Sequence, residues 1–247
     1  MAFTKELRAE LVSLLGEDWV KDDPVTLYTY RCDGLTLYTA PPMGVVFPGN
    51  RNELVEVVKK LHSRKITFVP RGAGTGLSGG AVPREQSVII EMARFKEIHD
   101  IDWLNRTITV GPGVINLRIS EKVQPDGYHY VPDPSSQKAC TIGGNVAENS
   151  GGPHTLKYGV TVNHVLGLEM VLPDGEVVEL GGKTFPIAGP DMLALVIGSE
   201  GTFGIVTKIT CRLTPNPEKA ITLLGVFDSV HKACEGVSAC LLYTSDA

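Results

Sequence analysis

Between Val45 and Pro83 the sequence passes through an apolar triplet, a helical stripe, a second apolar run and then VPRGAGTGLSGGAVP. Val45-Val46-Phe47 reads as a strand. Asn50, with Glu53 three residues on, reads as a helix cap, and Leu54, Val57, Val58 and Leu61 follow on one helical face. Ile66–Val69 returns as a strand, which closes a β-α-β unit. The chain then enters a loop with five glycines, Gly72, Gly74, Gly76, Gly79 and Gly80, and leaves it into a further strand, Ser87–Glu91. Whatever this loop does, it does with a strand on each side and no room for a helix between.

A glycine cluster has an ordinary explanation, a flexible or tightly turned connection. Alternating glycines directly behind a strand suggest instead a cradle in which successive N–H groups surround an anion. A Walker phosphate loop needs Lys and Ser/Thr after its last glycine, and Gly79 is followed by Gly80-Ala81. Gly74 to Gly79 does fit GxGxxG, but that dinucleotide fingerprint also requires a helix opening at the loop. Gly80-Ala81-Val82-Pro83 leaves no space for one. A Rossmann domain therefore stands only as a weaker alternative, which a helix directly after Gly79 would revive. What remains is a helix-free loop whose amides wrap a pyrophosphate.

The rest of the chain alternates differently. Residues 4–18 read as an amphipathic helix carrying Leu7, Leu11, Leu14 and Leu15, and Pro41-Pro42 marks a boundary behind an N-terminal segment, 1–39. From about Ile101, Arg106–Val110 is a strand stopped by Gly111-Pro112-Gly113, and a helical stretch runs to about Val123. Val165–Leu172 and Glu176–Leu180 flank Pro173-Asp174-Gly175 as a hairpin, Met192–Ile197 looks helical, and Ile205–Leu213 is a strand. Hairpins beside a β-α-β unit predict an α+β fold rather than a purely parallel sheet.

Two further stretches concentrate glycine. Cys140–Gly152 holds Gly143-Gly144 and Gly151-Gly152 among small polar residues, and Gly198–Val206 exposes backbone at Gly201 and Gly204 before Ile205-Val206. Both suit close approach of a flat ligand. Pro132-Asp133-Pro134-Ser135-Ser136 adds a rigid turn with two hydroxyls. The net charge of −5, without a Lys/Arg cluster, argues against nucleic acid, and no apolar run reaches membrane-spanning length. With no signal-peptide core after Met1–Lys5, the expected location is cytoplasmic. Five scattered cysteines without ligand spacing predict reduced thiols and no metal site.

These residues together carry a resemblance. Tyr30–Gly34, Arg71–Gly80, Met92–Lys96, Pro132–Ser136, Thr141–Asn149, Leu156–Gly159 and Gly198–Gly201 resemble the FAD-binding domain of the vanillyl-alcohol oxidase (PCMH-type) flavoprotein superfamily. Within it they are most similar to the group holding the D subunit of bacterial glycolate oxidase and FAD-linked D-lactate dehydrogenase. The resemblance implies a two-lobed α+β fold, a small β-α-β lobe, about 40–100, beside a larger lobe, about 101–217, with a mixed or antiparallel sheet and helices. It implies that Arg71, Gly72, Ala73, Gly74, Thr75, Gly76, Ser78 and Gly79 hold the FAD pyrophosphate. Thr141, Gly143, Gly144, Asn149, Gly151 and Gly152 would line the rest, with Pro132, Ser135, Tyr158, Gly159, Glu200, Gly201, Ile205 and Val206. Arg71 either meets a phosphate or supports the loop; Arg31 and Asp33 form either a structural or a functional pair.

Relatives that tether FAD use a histidine where this chain has Thr75, so non-covalent FAD is expected. The family's reaction is oxidation of a 2-hydroxy acid, glycolate or D-lactate, with hydride passing to flavin N5. Electrons would then pass to an iron–sulfur partner subunit and a quinone, or to another acceptor; partner subunits of that kind would place the protein peripherally at a membrane. The family's catalytic base and metal histidines belong to a C-terminal cap, of which 218–247 would be only the start. Ser238–Ala247 departs from the family, as a truncated or misassembled frame would. An alternative follows: an FAD-binding fragment without turnover. No catalytic residue is named, and His154, nearest the flavin-lining motif, is expected to be satisfied or solvated.

Overall fold

A computed structural model describes residues 3–84, 86–183, 189–219 and 221–244. It divides into two compact units, Met1–Thr214 and Pro215–Ala247. The start of the chain at Met1-Ala2 and the last three residues of the atypical tail lie outside the described residues.

The first lobe of the large unit contains α1 (Lys5–Leu15), β1 (Val20–Lys21), α2 (Pro24–Thr29), β2 (Gly44–Val46), α3 (Arg51–Ser63), β3 (Phe68–Arg71) and β4 (Val88–Glu91). Its sheet runs β1-β2-β4-β3, with β1 antiparallel to β2 and the other pairs parallel. Central β4 is buried throughout, as a parallel strand covered on both faces must be. Helix α3 follows from its sequence: Asn50 Oδ1 accepts the Glu53 amide at 3.0 Å, Glu53 Oε2 accepts that of Gly49 at 2.7 Å, and Leu54, Val57, Val58 and Leu61 are fully buried.

Strand β3 begins two residues later than the apolar run suggests. Lys65 takes a left-handed φ of 55° after α3, while the Lys65 and Ile66 amides donate to the His62 and Leu61 carbonyls. This Schellman ending keeps Ile66 with the helix, and the chain joins the sheet only at Phe68. Helix α1 stops at Leu15 rather than residue 18 because Gly16 turns out at φ 94°. It buries Leu7, Leu11 and Leu15 in the same core as α3 and β4, so the N-terminal segment is part of this lobe's packing. Leu11→Ala is expected to destabilise the chain by about 2–5 kcal/mol, read from the urea midpoint of the purified protein.

The second lobe contains β5 (Ile98–Asp102), β6 (Thr107–Val110), α4 (Asn116–Val123), β7 (Tyr128–His129), α5 (Ile142–Glu148), α6 (Thr155–Tyr158), β8 (Val165–Val171), β9 (Val177–Gly181), α7 (Met192–Val196) and β10 (Ile205–Arg212). Its antiparallel sheet runs β5-β6-β10-β8-β9. Along β10, Ile205, Thr207, Ile209 and Cys211 face inward while the residues between face out, the two-residue period of a sheet covered on one side. Gly175 turns the β8–β9 hairpin at φ 90°.

Val171 and Ile205, at the ends of β8 and β10, reach into the first lobe's core. Buried Glu169 joins the lobes by charge: its Oε2 lies 3.1 Å from both Arg51 Nη1 on α3 and Lys208 Nζ on β10, and its Oε1 accepts from the Thr207 hydroxyl at 2.7 Å. The small unit carries α8 (Val230–Thr244), so the tail expected to be atypical is helical as far as it is described. Its residues 221–227 are irregular and exposed, with Phe227 against Gly225 and Gly236 of the same unit.

Candidate functional site: a cleft between three glycine stretches

The three glycine-rich stretches meet in one cleft, which encloses about 1080 Å³ including space open to solvent. Thirteen of the expected residues line it: Arg71 to Gly76 from the loop, Thr141, Gly143 and Gly144 from the second stretch, and Glu200, Gly201, Ile205 and Val206 from the third. Apolar Met92, Val146 and Val196 complete a wall facing the polar loop.

The loop is helix-free, as its sequence demands; between β3 and β4 the described residues form only turns, bends and irregular chain. It is held from behind by residues 32–34. Arg71 Nη1 donates to the carbonyls of Cys32 at 2.8 Å and Ala81 at 3.0 Å, Gly34 N donates to Gly76 O at 3.0 Å, and Asp33 Oδ2 accepts the Gly79 amide at 3.0 Å. Two of the glycines are bare because protein, not ligand, occupies the space. A Cβ on Gly72 would overlap the Thr141 hydroxyl, and one on Gly74, at φ 67°, would overlap the Arg71 guanidinium. Gly76 differs: its Cβ would have only Glu148 Oε1 near it, at 3.7 Å. Among the described residues, no protein acceptor takes the amides of Gly72, Ala73, Gly74, Thr75 or Gly76. Five unclaimed donors on one short loop, beside an open Gly76, fit an anionic group such as a diphosphate.

The second stretch is not the loop that its composition suggests. Thr141 caps α5, its hydroxyl accepting the Gly144 amide at 3.4 Å, and Asn149 closes the helix at φ 50°. Two glycines in seven residues are poor helix formers, so tertiary contacts decide. A Cβ on Gly143 would lie 2.6 Å from the Pro112 side chain, and buried Asn145 accepts from Asn116 at 2.9 Å. Although α5 begins at the cleft, its first amides are taken: Ile142 donates to Val114 O and Gly143 to Pro112 O, at 2.8 and 2.9 Å. Its last carbonyls, Val146 and Ala147, accept from Gly198 and Glu200 at 2.8 Å, which docks the third stretch onto the helix. The donors available to an anion are therefore those of the loop.

Nine expected residues stand outside the cleft lining. Ser78 donates to Glu148 Oε2 at 2.8 Å, and Gly79 borders a neighbouring shallow depression. The Pro132 carbonyl accepts from Asn116 at 3.0 Å, and Ser136 rather than Ser135 lines the cleft. Asn149 accepts the Val162 amide; Gly151 and Gly152 pack on Thr155 and Asp133; the Tyr158 carbonyl accepts from His164; Gly159 packs on Asn163. These residues shape the turns behind the site. His154, two-thirds exposed, pairs with Asp133 at 2.6 Å away from the lining.

Sequence reasoning read Asp33 only as a partner of Arg31 and passed over Met92, Pro112, Asn145, Glu148 and Val196, which also line the cleft. Asp33 and Glu148 sat within motifs already quoted, but nothing in a spacing shows which side chain turns toward a cleft. Beneath the loop, burial pushes the Glu91 carboxyl up to about 7, against the opposing pull of Arg71. Cys32, Cys140, Cys211 and Cys234 are free thiols, and among the described residues no cluster of ligating side chains is arranged for a metal ion.

A family model described as an FAD binding domain matches residues 42–181, which include the loop, α5 and the β8–β9 hairpin. The chain belongs to this FAD-binding family. Its fold is the two-lobed PCMH-type arrangement, and FAD is its cofactor. The chain is 50% identical over 204 residues to glycolate oxidase subunit GlcD of Escherichia coli, covering 83% of this chain and 41% of that protein. It is 40% identical over 236 residues to its Bacillus subtilis counterpart, covering 95% and 50%. The D-lactate dehydrogenase of Archaeoglobus fulgidus is 37% identical over 209 residues, covering 83% and 47%. Among solved structures, alkyldihydroxyacetonephosphate synthase superposes with a TM-score of 0.78 at 24% identity, over 87% of this chain and 41% of that one. The chain thus spans about half the length, or less, of the relatives it matches. No helix among the described residues is long and apolar enough to cross a membrane.

Proposed function

We propose that this FAD-binding chain is the cofactor-holding portion of an oxidoreductase that converts a 2-hydroxy acid, glycolate or D-lactate, to the 2-oxo acid. The observation that carries the reading is the loop Gly72–Gly76, whose five amides have no protein acceptor among the described residues and line the cleft. On this reading the loop amides hold the FAD diphosphate, while Met92, Val146 and Ile205 exclude water from the flat parts of the cofactor. Bound FAD supplies a two-electron acceptor for oxidation of an alcohol carbon. Thr75 and its neighbours offer no histidine for a covalent tether, so the cofactor is held non-covalently. The relatives named glycolate oxidase subunit support a multi-subunit assembly. On the same reading an iron–sulfur subunit and a quinone, or another acceptor, receive the electrons.

A second reading has its own support. Among the described lining residues there is no histidine, Asp33 and Arg71 are engaged in holding the loop, and Glu148 accepts from Ser78. Glu200 is then the lining carboxylate left to take a hydroxyl proton, with no histidine beside it, and on this reading it does not suffice: the 247 residues by themselves bind FAD without turning over substrate.

One preparation tests both readings. The purified chain is expected to be yellow, or to become so with added FAD, and to release all its FAD on denaturation. Absence of FAD uptake overturns both. Anaerobic glycolate or D-lactate is then added: bleaching of the bound flavin supports turnover by this chain, and a spectrum unchanged by either acid supports the second reading.

A further inference from the structure

We infer that Asp33 is the positioning residue of the anion cradle, the group that keeps the glycine loop open to a diphosphate. The inference rests on the FAD-binding reading above and adds to it a residue that makes no demand on the ligand's own chemistry. Asp33 is 6% exposed, yet it borders the cleft. Its two oxygens are divided between two backbone donors: Oδ1 takes the Leu35 amide at 2.9 Å and Oδ2 takes the Gly79 amide at 3.0 Å. The neighbouring Gly34 amide grips the Gly76 carbonyl at 3.0 Å, and a Cβ on Gly34 would lie 2.9 Å from the Thr75 carbonyl oxygen. The wall formed by residues 32–34 therefore touches the loop at Thr75, Gly76 and Gly79.

The consequence follows from the planarity of the peptide. In a trans peptide the C=O and N–H point in opposite directions, so pinning the Gly76 carbonyl to the wall turns the next amide, that of Leu77, away from it. Engaging the Gly79 amide with Asp33 removes one donor from the ligand's reach and fixes where the loop ends. The charge sharpens the argument. A carboxylate lining a cleft for a diphosphate repels its ligand, and burying it is costly. Only a task that needs an acceptor with no donor of its own justifies the position. An asparagine here would turn an NH₂ group toward the Leu35 or the Gly79 amide, donor against donor.

Two explanations of Asp33 then predict opposite signs. If it is merely a nearby charge, Asp33→Asn removes a repulsion and tightens binding of FAD and of ADP. If it positions the loop, the same change weakens both, by about ten- to a hundredfold, the loss expected when a charge-assisted bond to a backbone amide is broken. The test uses the full chain, with FAD and ADP affinities measured by fluorescence and calorimetry. The ³¹P resonances of FAD bound at saturation are followed alongside the flavin absorption band. Positioning is supported by weaker binding of both ligands and by ³¹P shifts that move toward those of free FAD, in a variant that remains folded at the temperature of the measurement. Equal or tighter binding with unchanged ³¹P shifts overturns it.

If Asp33→Asn fails to fold, Gly34→Ala disturbs the same wall from Thr75 and decides the matter: weakened FAD and ADP binding by a folded protein supports the inference, and unaltered binding overturns it. Failure of the wild-type chain to bind either ligand overturns the FAD-binding reading itself, an outcome separate from any behaviour of the variants.

Discussion

Gly74→Ala is expected to reduce FAD affinity by at least about a hundredfold and to lower the stability of the chain by several kcal/mol. Two independent costs combine. The residue sits at φ 67°, where a side chain costs about 1–2 kcal/mol. Its Cβ would also overlap the Arg71 guanidinium, and overpacking of this kind costs about 1–3 kcal/mol. Arg71 cannot step aside cheaply, because its Nη1 holds the carbonyls of Cys32 and Ala81 together and its cation lies 5.3 Å from the centroid of the Tyr30 ring. The loop must open and carry its amides with it. Gly76→Ala is the control: its methyl meets only Glu148 at 3.7 Å, so stability should hold while any loss of FAD affinity reports space that the ligand needs. Urea unfolding and FAD titration of both variants check the contrast. Wild-type affinity in Gly74→Ala would show that the loop conformation is irrelevant to binding.

The second large effect concerns pH. Glu91 is 4% exposed at the end of β4, opposite Arg71 in the sheet, and burial raises its carboxyl to about 7. Its value in the unfolded chain is near 4.5. A group raised on folding contributes stability that is full below the unfolded value and is lost as pH rises through the folded one. The native chain should therefore lose stability from Glu91 as pH climbs from about 4.5 to 7, by as much as about 3 kcal/mol. Glu91→Gln removes the titration. At pH 8 the variant should be more stable than wild type by up to that amount, and at pH 4 the difference should vanish. Comparing the two proteins at each pH cancels contributions shared by both, including that of His164, whose imidazole burial holds below its usual value. A variant less stable than wild type at pH 8 would mean that the Glu91 charge is needed where it lies.

Much of this architecture could be read from residues alone, for identifiable reasons. Helix α3 was legible because its cap and its stripe are local, whereas its ending, which keeps Ile66 from the strand, was not read. The β8–β9 hairpin was legible because Gly175 must adopt a left-handed conformation. The loop could be recognised as helix-free because Pro83 and the strand after it leave no length for a helix. Helix α5 was hidden because glycine and asparagine argue locally against it, while Pro112, Val114, Gly198 and Glu200 stabilise it from far along the chain. Helix α2 went unread despite a legible start, an Asp23 cap before Pro24 at its first position. At the site, composition located the three stretches that converge. It could not separate glycines that face the cleft, such as Gly76, from those that pack against protein, such as Gly152 and Gly159.

Helix α5 is seven residues long, yet it is anchored at both ends, by the segment around Pro112 in front and by Gly198 and Glu200 behind, while the Thr141 cap presses on Gly72. A disturbance in any one glycine stretch must pass through this strut to the other two. The stretches are therefore thermodynamically a single part: damage to two of them will not sum, because the first lesion already releases what the second would have broken. Sequence drift in one stretch can be tolerated only when the others shift with it.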